Sequence, residues 1–317
     1  MANMEVSDIV THGAALMQPG ETKSTRPIRR IAVGIATSGR PAILHQTLEL
    51  LARQSRPADE ILVCPAKPAD IGAETSVAFP SLRVVRSEPG LPAQRNAILA
   101  ASDADVLAFF DDDFFAHPGY LAEVEALFHT HPDIVMATGT VIADGILGPG
   151  LSPADGHRLL AAATAPAAER IDDVHNGYGC NMSVRMAPVR EASLVFDETL
   201  PLYGWLEDLD FSRRLAPSGR IVRSTRLLGV HLGNKSGRSS GVRLGYSQVA
   251  NPLYMVRKGT LARGRAFRQI GRNLAANIVR TLKPEPWVDR RGRLVGNLKG
   301  VADALSGQID PRRILKL

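Results

Sequence analysis

Short apolar runs alternate with helical spacings along the first third of the chain. Ile31-Ala-Val-Gly-Ile-Ala36 is an unbroken apolar run closed by Thr37-Ser38-Gly39, the pattern of a buried strand with a polar exit. Pro41 to Gln54 follows with Ile43, Leu44, Leu48 and Leu51 at helical spacing, and Pro41 fits a first helical turn. Glu60 to Cys64 predicts a second strand stopped by Pro65, Leu82 to Val85 a third and Val106 to Phe110 a fourth, with a helix over Pro92 to Ala101. Strands alternating with helices predict an α/β fold: a Rossmann-like, mainly parallel sheet flanked by helices. In such sheets ligands bind beyond the carboxyl ends of the strands. Both Thr37–Arg40 and Asp111–Asp113 fall at such ends.

Further along, the pattern predicts a helix over Tyr120 to Phe128 and strands over Ile134 to Ile142 and Asn181 to Arg185. Residues 143–175, rich in Gly, Ala and Pro, read as a variable loop region. Leu206 to Leu215 predicts a helix closed near Gly219, followed by short strands at Ile221 to Arg223 and Leu227 to Val230. Gly233 to Gly245 reads as a Gly/Ser/Lys/Arg loop. Gln248 to Arg280 reads as helical, with a basic face of Arg257, Lys258, Arg265, Arg268 and Arg272.

Composition narrows the classes. The 317 residues are 44% hydrophobic and 22% charged, which suits one large or two modest folded domains and excludes disorder along the whole chain. No uncharged apolar run reaches the roughly 18 residues of a membrane span. Residues 1–30 lack an apolar stretch after a basic start, so no secretory signal is expected. Two cysteines, Cys64 and Cys180, suggest neither a disulfide framework nor a zinc site, and a reducing, cytoplasmic setting is expected. The net charge of +6 is uneven: residues 256–317 hold 15 Lys and Arg against 4 Asp and Glu, and residues 1–255 hold 23 against 28. A basic tail seeks phosphates, on nucleic acid, anionic lipid or a phosphorylated substrate, unless it is merely a solvated helical surface.

Three consecutive carboxylates, Asp111-Asp112-Asp113, at the end of an apolar strand are costly unless something neutralises them. Side chains at i and i+2 of a strand share a face, so Asp111 and Asp113 can converge on one hard cation. A Mg²⁺ or Mn²⁺ ion held this way leaves positions for phosphate oxygens. Glu207-Asp208 and Asp210 form a second acidic cluster, which a helix N-terminus would favour by itself; its other use is a carboxylate that takes a proton from an attacking hydroxyl. Trp205 just before it could serve as a platform for a sugar ring. His231 ends a short apolar strand as a further candidate ligand. Lys235, Arg238 and Arg243, spaced by Gly and Ser, form a cationic loop able to close over a diphosphate. Gly237-Arg-Ser-Ser-Gly241 matches a nucleophile elbow, but no histidine follows it as that chemistry requires. Lys235-Ser236 lacks the glycine of a Walker A ending.

Five segments, in order, resemble the family 2 glycosyltransferases of bacteria, which have the GT-A fold. They are Ile31 to Pro41 (IAVGIATSGRP), Gln54 to Val63 (QSRPADEILV), Gln94-Arg95-Asn96, Phe109 to Asp113, and Trp205 to Arg214 (WLEDLDFSRR). The resemblance implies a GT-A domain over 30–256, with a nucleotide half (30–115) and an acceptor half (116–256), after a lead-in (1–29) and before a basic helical C-terminal extension (257–317). It implies Thr37, Arg40, Arg95, Asp111, Asp112, Trp205, Lys235 and Arg238 at a nucleotide-sugar site. Asp111, Asp113 and His231 would hold Mn²⁺ or Mg²⁺, and Asp208 would be the base with Glu207 beside it. The second strand usually ends in an acidic residue that reads the nucleobase. Here it reads Val63-Cys64-Pro65-Ala66, with Asp70 as a substitute from the following loop.

The expected activity is metal-dependent, inverting transfer from a nucleotide-diphosphate sugar, a UDP-sugar first among donors. The acceptor is a hydroxyl of a glycan or lipid-linked glycan, as in surface or exopolysaccharide assembly. The basic C-terminus is expected to touch the inner face of the plasma membrane. Two rivals stand beside this: a sugar-phosphate nucleotidyltransferase, and a non-catalytic binder of an anionic polymer. Aromatic residues are only 5% and no aromatic–basic stacking platform is visible, so nucleic acid is not expected as a partner.

Overall fold

The structure, a computed structural model, describes residues 28–235 and 240–317. The first part of the chain runs β1 (Ile31–Thr37), α1 (Pro41–Ala52), β2 (Glu60–Pro65), α2 (Ala73–Ala78), β3 (Arg83–Val84), α3 (Leu91–Ala101) and β4 (Val106–Asp111). Then come β5 (Phe114–Ala116), α4 (Tyr120–Thr130), β6 (Ile134–Asp144), α5 (Pro153–Ala162), β7 (Ile171–Asp173), β8 (Asn181–Arg185), α6 (Met186–Glu191), α7 (Glu207–Leu215) and β9 (Arg220–His231). Three helices close the chain: α8 (Gly241–Lys258), α9 (Arg263–Thr281) and α10 (Arg290–Leu305).

The strands form one sheet in the order β3-β2-β1-β4-β8-β6-β9-β5, with β7 also on β9. Helix crossovers make β3, β2, β1 and β4 parallel, as the alternating pattern predicts. The parallel character stops there. β8 enters from a short loop rather than a crossover helix and runs antiparallel to both β4 and β6. The sheet as a whole is therefore mixed, with β6 and β9 parallel and β5 and β7 antiparallel to β9.

Ile31 to Ala36 of β1 are all apolar, and both faces of the strand are covered. Ile31, Val33 and Ile35 meet Leu44, Leu48 and Leu51 of α1 together with the apolar face of α4. Ala32 faces Ile98 and Leu99 of α3 on the other side. Gly229 in β9 has a packing role: a Cβ there would lie 2.1 Å from the buried ring of Phe114. Phe114 directly follows Asp113, so this contact seats the end of the acidic turn.

Four sequence expectations are corrected. Residues 143–175 hold α5 and β7 rather than a plain loop. The two short strands at 221–230 are one continuous β9, whose register shifts against β6 hid its length in the pattern. Helix α8 starts at Gly241, inside the expected loop, capped by Ser240 Oγ accepting from Arg243 N. The helical stretch at 248–280 is broken at Gly259, whose φ of +85° ends α8 in a left-handed cap. The boundary at 256/257 thus falls inside α8, which packs against both α9 and α10.

Gly229→Ala is expected to cost about 1–3 kcal/mol by overpacking against Phe114; a urea melt with an unchanged midpoint would show the ring to be free to move.

Candidate active site

The site forms where the ends of several strands meet. Ala36 of β1 is the register partner of Asp111 on β4, which places Thr37 beside the acidic turn. Asp144 at the end of β6 is the register partner of His231 at the end of β9, and Phe114 of β5 pairs with His231 from the other side. Pairing along the sheet, not proximity in sequence, thus brings Asp111, Asp113, Asp144 and His231 together.

Asp111, Asp113 and His231 each offer a ligand atom, all within 4.8 Å of one another. His231 Nε2 lies 3.4 Å from Asp113 Oδ1 and 3.9 Å from Asp111 Oδ2. Its other nitrogen, Nδ1, is 2.9 Å from Asp144 Oδ1, and the Tyr178 hydroxyl donates to Asp144 Oδ2 at 2.8 Å. A carboxylate behind one imidazole nitrogen orients the other toward a cation. Asp113 Oδ1 is buried and accepts no well-formed hydrogen bond, with only the His231 ion pair beside it, whereas its Oδ2 accepts from Arg40 and from Asn234 N. A buried carboxylate oxygen with no well-formed hydrogen bond, beside an imidazole and a second carboxylate, fits a hard divalent cation.

Electrostatics point the same way. Burial disfavours charge on both Asp113 and His231, yet their mutual contact outweighs it: Asp113 is held at about 2 and His231 is lifted to about 10. The imidazole therefore carries a proton that cation binding would expel. Asp112 is not a member of the group of Asp111, Asp113 and His231. Thr37 Oγ1 donates to its Oδ2 at 2.7 Å, Arg40 pairs with its Oδ1 at 2.7 Å, and burial pushes its pKa up to about 7 against the pull of Arg40. Thr37, Arg40 and Asp112 are thus bound to one another and brace the turn.

Arg95 joins the two acidic clusters. Nearly inaccessible at 2% exposure, it reaches from α3 to Asp111 Oδ1 (3.2 Å), to the Gly179 carbonyl (2.7 Å) and, in close contact, to Glu207. Burial lifts Glu207 to about 8 despite Arg95, and its Oε2 has no hydrogen-bond partner. Asp208 sits in the first turn of α7, where the helix dipole favours a carboxylate. It accepts from Gly179 N at 3.1 Å and Leu209 N at 2.8 Å, while burial still raises its pKa. Leu206, the residue that starts α7, has a φ of +72°, a strained conformation for leucine at the entry to this turn.

The rest of the acidic segment is structural. Asp210 is fully buried and ties α7 to the end of α8 through Arg214, Lys258 and Thr260. Lys258 also meets Asp197, and Arg257 donates to the Ile309 carbonyl, so two members of the expected basic face point inward. Lys235 donates to the carbonyls of Gly145 and Ile146, one residue after Asn234 has met Asp113. The Trp205 carbonyl accepts from Asn251 of α8. Arg238 lies outside the described residues. Asp70 spends a carboxylate oxygen on Lys67 N within its own short turn.

Sequence reasoning missed Asp144, Tyr178 and Gly179. Asp144 lay at the edge of the region read as variable loop, and its only signal was its place at the end of an apolar, β-branched run.

Acidic residues at strand ends, joined through Arg95 to Glu207 at the start of α7, are the arrangement of a GT-A type of site. The glycosyl transferase family 2 model matches residues 32–191, half of the chain, and the chain belongs to that family. The glucosyl-dolichyl phosphate glucuronosyltransferase of Haloferax volcanii is 30% identical over 82 residues, 26% of this chain and 26% of that protein. The match thus spans about a quarter of that relative. Among solved structures, S. aureus TarS 1-349 in complex with UDP-GlcNAc superposes with a TM-score of 0.54 at 14% identity, over 89% of this chain and 84% of that one. The mannosyltransferase PcManGT from Pyrobaculum calidifontis, in complex with GDP-Man and Mn²⁺, gives 0.51 at 15% identity, over 92% and 86%. These likenesses establish the GT-A fold, and membership of the family sets aside the nucleotidyltransferase and polymer-binder readings.

Asp144→Asn is expected to weaken Mn²⁺ binding about 10- to 100-fold by loosening His231. Calorimetric titration checks this, and an unchanged affinity would remove Asp144 from any supporting role.

Proposed function

We propose that the protein transfers a sugar, with inversion, from a nucleotide-diphosphate sugar to a hydroxyl of a glycan or lipid-linked glycan, in the assembly of a surface or exopolysaccharide. The observation that carries this reading is Arg95, which holds Asp111 on one side and Glu207, next to Asp208, on the other. It fits a donor and a base within one crevice. Thr37, Arg40 and Lys235 would line the nucleotide side, and a UDP-sugar is the first donor to test. Lys235 follows Asn234, whose backbone meets Asp113, so its chain segment is suited to flank the diphosphate. PcManGT with GDP-Man and Mn²⁺ and TarS with UDP-GlcNAc supply the analogy for the donor class.

Asp208 has one carboxylate oxygen on Gly179 N and the other on Leu209 N, each with a remaining lone pair for an acceptor hydroxyl. As the acceptor oxygen attacks the anomeric carbon, Asp208 takes its proton. The bond from that carbon to the diphosphate breaks on the opposite face, and the electron pair leaves with the diphosphate. A divalent cation on Asp111, Asp113 and His231 would neutralise the charge growing on that leaving group. Arg95 keeps Glu207 and Asp111 from repelling Asp208 out of position. Asp70, capping its own turn, is left a poor reader of the nucleobase. The basic C-terminal segment suits peripheral contact with an anionic membrane face.

A nucleotide-sugar panel scored for Mn²⁺-dependent donor hydrolysis tests the donor class; turnover of none of them would refute the reading. Asp208→Asn is expected to lower transfer about 10²- to 10⁴-fold while donor binding persists. Asp113→Ala is expected to lose both transfer and Mn²⁺ dependence. The pH profile supplies a further check. A base works ionised, and burial holds the Asp208 pKa above the ordinary 3.8. Transfer should therefore fall as pH drops through that raised value, and an acid limb at or below 3.8 would take Asp208 out of the role.

A further inference from the structure

Helix α9 leaves its apolar row in water. Phe267 (63% exposed), Ile278 (51%) and Leu282 (89%), the last just past the helix end, lie at i, i+11 and i+15, and half-buried Leu274 falls on the same face at i+7. The buried face lies about a quarter-turn round the helix from this row and carries Ala266 and Asn277. Burying the apolar row against the protein would remove more apolar surface from water. The helix is instead locked with that row outward. Asn277 Nδ2 donates to Gln248 Oε1 of α8 at 2.9 Å and to Asn297 Oδ1 of α10 at 2.7 Å, and its own Oδ1 accepts from Arg290 at 3.0 Å. Turning the row inward would break this buried network.

Charge says what covers the row. Residues 263–283 carry six Arg and Lys and no Asp or Glu. A second copy of the chain would bring the same positive charge to the contact and be repelled. An anionic lipid surface complements both the cations and the apolar row. No helix among the described residues is long and apolar enough to cross a membrane, so the contact would lie in the plane of the interface.

We propose that α9 is an interfacial helix that seats Phe267, Ile278 and Leu282 in the headgroup region of an anionic bilayer. Its inner face reaches the active site: Ala266 packs in one apolar cluster with Leu206 and Leu209, which flank Glu207 and Asp208. Docking through α9 therefore brings the helix that carries the base close to the lipid surface. This inference rests on the transferase reading only for the claim that the acceptor is met there.

The test is flotation of the full chain with phosphatidylcholine vesicles, with and without phosphatidylglycerol. Wild-type protein should float only with the anionic vesicles, and less at high salt. The Phe267→Ser/Ile278→Ser/Leu282→Ser variant should lower the bound fraction roughly tenfold or more, with its thermal midpoint unchanged because all three side chains are exposed. Equal flotation of variant and wild type would overturn the proposal, as would flotation of neither. So would a concentration-dependent dimer in light scattering that these substitutions abolish, since that assigns the row to a second copy. Donor hydrolysis without lipid, measured on the same samples, keeps the two readings apart. Hydrolysis without flotation sinks only the membrane inference, and flotation without hydrolysis sinks only the transferase reading.

Discussion

Packing carboxylates around one crevice is repulsive, and this fold tolerates it because two guanidiniums are buried among them. Asp111, Asp112, Asp113, Glu207 and Asp208 lie around Arg40 and Arg95, with Asp144 behind His231. Removing either arginine would leave buried charge without a partner, which is among the costlier defects a core can carry. Even so, the carboxylates outnumber the arginines. Burial first, and the remaining imbalance after it, raise the pKa of Glu207 and Asp112, and the surrounding carboxylates raise that of His231. A divalent cation, held through oxygen and imidazole ligands, answers the same imbalance at its centre.

That constraint explains a division of labour within short segments. In the acidic triplet, Asp111 and Asp113 turn toward His231, while Asp112 turns back to Thr37 and Arg40 and stiffens the turn. In α7, Glu207 meets Arg95 and Asp208 meets Gly179 N, whereas Asp210 turns to Lys258 and Arg214. Successive positions on a strand or helix face different directions, so neighbouring acids can serve chemistry and structure separately. The C-terminal helices follow from the same placement: the end of α8 is anchored by Asp210, and α9 packs beside the residues that flank Asp208.

Much of the first part of the sheet was legible in the sequence. Apolar runs such as 31–36 and 106–110 are buried on both faces, and continuous burial leaves an unambiguous mark in the sequence. The acidic triplet was legible because consecutive charges after such a run demand compensation. The second half was harder to read. β9 carries Arg223, Ser224 and Arg226 at its irregular middle, so its pattern looks like two strands. Residues 143–175 fold into α5 and β7 on weak local signals, and Gly259 broke a helix whose periodicity ran straight through it.

Composition and spacing by themselves determined the strand–helix alternation, the strand ends that carry acids, and the basic C-terminal segment, since each of these is a local property of the chain. Only the tertiary structure decided that Asp144 stands behind His231, that Arg95 spans both acidic clusters, and that α9 turns Asn277 inward and Phe267 outward. Those contacts join residues that are neighbours through sheet register and helix packing, and a single sequence carries no record of which distant positions the fold will bring together.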